Sequence, residues 1–108
     1  MLFDDAVFNV GRTAMLVAGL AAGDVDVLAA ATQDRLHQER RLVAAGASRA
    51  ALAAGLEAGA WCGWLSGSGP TVAFLAASGA GPPITAALPA GGHSRVVAID
   101  LEGTTAVG

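Results

Sequence analysis

The chain has 108 residues and a net charge of −3, with 54% of residues hydrophobic and 14% charged; that length holds one domain, and that apolar share excludes a disordered acidic tail. All six basic residues are arginine, and only Arg40 and Arg41 adjoin, so there is no basic stripe for nucleic acid. The lone cysteine, Cys62, rules out an internal disulfide and a cysteine metal site, and suits a reducing, cytoplasmic setting.

Acids at Asp4 and Asp5 stand where an export signal needs positive charge. From Asp5 to about Ala22, apolar residues recur every three or four positions, predicting a helix with a broad buried face; Asp4 or Asp5 can cap it and Gly23 can stop it. Asp24 can cap a second helix from Val25 to about Gln38, and Ser48 a third that ends near Ala58 and Gly59. The period then changes. Ala60 to Leu65 and Thr71 to Ala76 read as two short strands joined by Ser66-Gly67-Ser68-Gly69-Pro70. Charge is absent from Ala58 to Ser94, but Gly67, Gly69 and Pro70 break that run, so buried strands explain it better than a membrane span. Ile84 to Leu88 allows a helical turn or two, limited by Pro82, Pro83 and Pro89. Arg95 to Leu101 is a β segment, and Glu102-Gly103 can turn it back into Thr104 to Val107. Helices first and strands later predict an α+β packing, with helices on one face of a small antiparallel sheet. Fifteen glycines and much alanine keep the buried area per residue modest, so a partner surface is expected to add stability.

Chemistry concentrates in two places. In Ser66-Gly67-Ser68-Gly69-Pro70-Thr71 the glycines permit positive φ and close backbone approach, which serves either a phosphate nest or a steric bend between strands. The stretch from Thr32 to Arg41 is densely polar; Arg35 with Glu39, and Asp34 with Gln38, have the spacing of a solvated helix face. Arg35 also offers a guanidinium fork for a substrate carboxylate. His37 and His93 have no evident third partner for a metal. Asn9 and Arg12 lie one turn apart on the first helix, toward either a cleft or solvent.

Three blocks, Asp5-Ala6-Val7-Phe8-Asn9-Val10-Gly11-Arg12, Thr32-Gln33-Asp34-Arg35-Leu36-His37-Gln38 and Leu65-Ser66-Gly67-Ser68-Gly69-Pro70-Thr71-Val72, in that order, resemble the C-terminal domain of the homoserine kinases, which belong to the GHMP small-molecule kinases. The resemblance covers about residues 4 to 77 and implies a ferredoxin-like domain, 1–108, contributing to ATP-dependent phosphorylation of L-homoserine in threonine biosynthesis. It implies that Arg35 binds the homoserine carboxylate, that Asn9 is a second substrate contact, and that Ser66, Gly67, Ser68, Gly69 and Thr71 lie beside the phosphates. ATP and Mg2+ would be bound mainly by an N-terminal domain whose glycine-rich ATP loop has no counterpart in these 108 residues. The implied partners are L-homoserine, that N-terminal kinase domain and a second copy in a homodimer, with no nucleic acid and no membrane; the isolated piece is expected to be inactive. Other readings are the C-terminal domain of a different GHMP kinase and a non-catalytic ferredoxin-like small-ligand or interaction module.

Overall fold

The first helix, α1, runs Phe3–Ala22 in the computed structural model, which describes residues 2–107. Asp4 and Asp5 sit in its first turn, complementing the helix dipole, while Leu2 holds the cap position without a side-chain bond. Gly23 takes the left-handed conformation, φ 67°, and the amide of Asp24 donates back to Gly19 at 2.9 Å, ending the helix as its sequence predicts. Gly19 is buried where α1 crosses the next segment; a Cβ there would come within 2.6 Å of a Val27 methyl.

The expected second helix is not continuous. Asp24 does cap a turn, accepting from the Asp26 amide at 3.1 Å, but that turn is a short 3-10 helix, Val25–Val27, leading into α2, Leu28–Ala31. Helix then stops until α3, Gln38–Val43. Between them the Asp34 carboxylate accepts the amides of Leu36, His37 and Gln38, offering these donors a partner other than the carbonyls one helical turn back. The sequence periodicity carried no trace of that competition.

α4 spans Gly46–Glu57, with Leu52 and Gly55 on its buried side. Ser48 lies inside the helix and not at its cap: it is buried, and its hydroxyl donates to the carbonyl of Pro70 at 2.6 Å. Strands β1, Cys62–Leu65, and β2, Val72–Leu75, pair antiparallel with Cys62 opposite Leu75 and Leu65 opposite Val72. Leu42, Leu52 and Leu65 form the core, with Val72 and Phe74 packed against them. Cys62 is 1% exposed, and burial pushes its thiol up, as suits a core residue and not a reactive one. The predicted α+β packing of helices against a small antiparallel sheet is therefore what forms.

Pro82 and Pro83 occupy the first turn of α5, Gly81–Ala87, where a missing amide costs nothing, so they start this helix instead of limiting it. The final strand pair does not form: among the described residues nothing after Ala87 is helix or strand, and Val96, Val97, Ile99 and Leu101 are 57% to 93% exposed. A β-rich pattern becomes a strand only where an edge is supplied to pair with it. Among the described residues no helix is long and apolar enough to cross a membrane.

The Phe74 ring rests directly over Gly55 of α4 and Gly63 of β1, filling the space a Cβ would need. Gly55→Ala should therefore destabilise the fold by roughly 1–3 kcal/mol through overpacking, despite alanine's better helix propensity. Gly46→Ala, where a Cβ meets nothing within 4 Å, should be neutral or stabilising; thermal denaturation of the two variants checks the pair.

Candidate functional site

Asn9 faces inward from α1 because the helix turns it toward the segment following α2. Its amide nitrogen donates to Asp34 Oδ1 at 2.7 Å, and its amide oxygen accepts the backbone N–H of Arg35 at 2.8 Å. Asp34 Oδ2 receives the amides of Leu36, His37 and Gln38 at 3.0, 2.8 and 2.8 Å. One carboxylate thus wraps residues 34–38 into a tight turn pinned to α1. Gln38 continues the path, its Oε1 accepting the amide of Leu65 at 2.8 Å, one residue before the glycine-rich loop. Asn9, the 34–38 turn and the end of β1 are joined by an unbroken series of side-chain links.

Asp34 has a side chain only 16% exposed. Burial alone would raise its pKa, but the amides of Gln38 and His37, the Asn9 side chain and the nearby His37 together outweigh it and hold the carboxyl down at about 2. His37 Nε2 lies 3.8 Å from Asp34 Oδ1, and its buried Nδ1 has no hydrogen-bond partner. A crevice of about 430 Å³ opens here, lined by Asn9, Arg12, His37 and Gln38 among others, with Trp64 from β1.

Arg35 is exposed, and its guanidinium carbon lies 3.8 Å from the centre of the Phe8 ring; Arg12 lies over the same ring at 4.5 Å. A guanidinium over a ring face is attracted by the ring's quadrupole while its N–H groups stay available for other partners. The expected pairing of Arg35 with Glu39 is absent, since Glu39 binds Arg49 instead. Asp34 meets Gln38 through the backbone amide and not as a surface side-chain pair.

The loop between the strands is closed by two bonds, from the Ser66 amide to the Thr71 carbonyl at 2.8 Å and from the Gly69 amide to the Ser66 carbonyl at 3.0 Å. Gly67 and Gly69 have φ of 58° and 78°, which side-chain-bearing residues rarely adopt. Ser66, Gly67, Ser68 and Thr71 are exposed, and Gly69 is half-buried against Leu65. Among the described residues no three His, Cys, Asp or Glu side chains gather as a metal set.

The chain therefore brings together Asn9 and the Arg35 backbone, and connects both through Gln38 to the loop. Phe8, Asp34, Gln38 and Ser48 were not evident from sequence as structural members of this site. For Asp34 a signal existed: an aspartate among polar residues with free amides downstream is the pattern of a side-chain-capped turn.

Residues 16–93, which carry most of this helical layer, the small antiparallel sheet and the glycine-rich loop, match the family described as GHMP kinases C terminal. The chain belongs to the GHMP kinases, as their C-terminal domain. Several curated proteins it is similar to are homoserine kinases. One from Thermus thermophilus is 39% identical over 87 residues, 81% of this chain and 30% of the relative. Those of Gloeobacter violaceus and Moorella thermoacetica are 51% and 48% identical, over 66% and 64% of this chain and 24% and 23% of theirs. The crystal structure of a homoserine kinase from Cytophaga hutchinsonii superposes with a TM-score of 0.72 at 30% identity, covering 82% of this chain and 28% of that one. The chain spans less than a third of the length of each of these proteins.

Because the folded-state pKa of Asp34 is depressed from 3.8 to about 2, its contribution is fully present above pH 3.8 and lost as pH falls through about 2. It amounts to about 2 kcal/mol at neutral pH. Asp34→Asn should lower stability at pH 7 by about that amount, and the gap from wild type should close progressively between pH 4 and pH 2 in urea titrations. Asn9→Ala, which removes a donor and an acceptor together, should cost about 1–3 kcal/mol, measured the same way.

Proposed function

We propose that this chain is the substrate-binding part of a homoserine kinase, and that it works with an N-terminal domain to phosphorylate the hydroxyl of L-homoserine. The observation that carries the reading is the hydrogen-bonded path from Asn9 through Asp34 and Gln38 to Leu65, which gives the Arg35 turn and the glycine-rich loop one shared frame. Within that frame Arg35, lying over the Phe8 ring, binds the substrate carboxylate through two parallel N–H bonds. Asn9 orients the Arg35 backbone, and through it the fork. The exposed backbone of Ser66, Gly67 and Ser68, with Gly69 and Thr71 closing the bend, fits the close approach of a phosphate. ATP with Mg2+ supplies the transferable phosphoryl group and the charge that balances it, and would be held mainly by the N-terminal domain. This domain's own contribution is positioning, which is most of what phosphoryl transfer asks of a protein.

The relatives named above are homoserine kinases, which favours this substrate over other GHMP substrates. In an enzyme completed with the N-terminal domain, Arg35→Ala should raise the KM for homoserine about tenfold or more, the scale of a lost charge-assisted bond, and leave the KM for ATP unchanged. A change confined to ATP would overturn the carboxylate role. Deleting Ser68 and Gly69 should instead lower kcat with little change in homoserine KM, and steady-state kinetics on both variants separates the two roles.

A further inference from the structure

Arg12 has no part in the hydrogen-bonded path from Asn9 to Leu65. It stands midway along α1, where the residues three and four positions to either side, Phe8, Asn9, Met15 and Leu16, include no acid to pair with it. Among the described residues no carboxylate lies within ion-pair distance of Arg12 or of Arg35, and the Arg12 side chain donates only to the Met15 sulfur, at 3.8 Å. Other arginines have structural employment: Arg49 pairs with Glu39, and Arg40 and Arg41 lie in the last turn of α3, where the helix dipole favours cations. Arg12 and Arg35 instead share the Phe8 ring, 4.5 and 3.8 Å from its centre, so two unneutralised cations are held close together.

Of the two, Arg12 also lines the crevice of about 430 Å³ beside the 34–38 turn. Much of the polar lining is already spent. Asn9 has both ends of its amide engaged, Thr13 gives its hydroxyl proton to the Asn9 carbonyl, and Asp34 accepts four donors. Hydrogens remain on the Arg12 guanidinium and on Nε2 of Gln38, whose Oε1 is taken by the Leu65 amide. Leu16, Trp64 and Leu75 add apolar surface, beside which a charge interaction is less screened than in open water. A lining so weighted toward donors selects an anion.

One guanidinium fork engages both oxygens of a carboxylate. With Arg35 holding the substrate carboxylate, a second fork on the same aromatic ring is matched by a second anionic group in the same ligand. L-Homoserine has none. Its phosphate ester carries one at the far end of a short carbon chain, with a charge of about −1.5 to −2 and strong acceptor oxygens. We propose that Arg12, with Nε2 of Gln38, is a phosphate subsite for the O-phosphorylated amino acid, so that Arg12 and Arg35 grip the product by both ends and the substrate by one. The placing of the carboxylate on Arg35 rests on the kinase reading. Phe8 serves both as a positioning residue, since the two cations lie over its ring.

The test is calorimetric titration of the chain at low ionic strength with O-phospho-L-homoserine and with L-homoserine. The phosphate ester should bind about tenfold or more tightly, the scale of an added charge-assisted bond. Arg12→Gln should erase that difference and leave the homoserine affinity as it was, whereas Arg35→Gln should weaken both ligands; melting curves establish that each variant folds. Equal affinities in the wild type, or a preference that survives Arg12→Gln, would overturn the subsite. L-Glutamate binding as tightly as the phosphate ester would put a carboxylate on Arg12 and overturn the phosphate assignment. Homoserine phosphorylation by an enzyme completed with the N-terminal domain reads the kinase assignment separately. A preference for the ester without phosphorylation supports the subsite and overturns the kinase reading; phosphorylation without the preference overturns the subsite alone. In the active enzyme, Arg12→Gln should raise the inhibition constant of O-phospho-L-homoserine about tenfold with the homoserine KM unchanged. An equal rise in both would overturn the division of the two anionic groups between Arg12 and Arg35.

Discussion

A single half-buried carboxylate organises this domain. Asp34 accepts one side-chain and three backbone donors, and among the described residues no other side chain gathers as many. Those bonds explain why helix stops after Ala31 and resumes at Gln38, why α1 is tied to the segment it crosses, and why the acid stays ionised far below neutrality. The cost of partly burying a charge is met by donors that would otherwise be left without partners at a break in the helix. Removing the carboxylate exposes both sides of that balance at once.

The remaining supports radiate from the turn. Gln38 reaches the Leu65 amide, and Ser48 reaches the Pro70 carbonyl, so both ends of the glycine-rich loop are anchored by helices that lie beneath it. Phe74 then fits α4 to the sheet by lying over two glycines. Rigid anchors on either side of an exposed loop are what positioning chemistry needs, since misplacement by an ångström is costly in rate.

Much of this was legible beforehand, in a way that follows from the physics. The periodicity of α1, the Gly23 stop and the two strands about the glycine-rich bend are local properties, and each formed within a few residues of its expected place. What escaped was non-local or competitive. The uninterrupted helix from Val25 to Gln38 failed because Asp34 outcompetes carbonyls for amides, a preference that apolar spacing does not encode. The final strand pair failed for a different reason: Val96, Val97 and Ile99 have the right residue types but no neighbouring edge bonded to them. Pro82 and Pro83 illustrate the reverse error, since the same residues that end a helix from within can begin one. For the site, Arg35 and the loop stood out as types of chemistry, whereas Phe8 and Gln38, ordinary in sequence, take their importance from which atoms they reach.

The Asp34 turn grips main-chain amides and not the side chains of Arg35 and Leu36, both of which project outward. On the proposed reading, frame and fork are thus separate inheritances. Substitutions at those two positions would then change what is recognised without dismantling the mount that presents it, whereas a change at Asp34 or Asn9 disturbs the turn itself. Within a family whose members act on different small molecules, that division would let substrate preference drift quickly over a scaffold that drifts slowly, with the carboxylate as the part least free to vary.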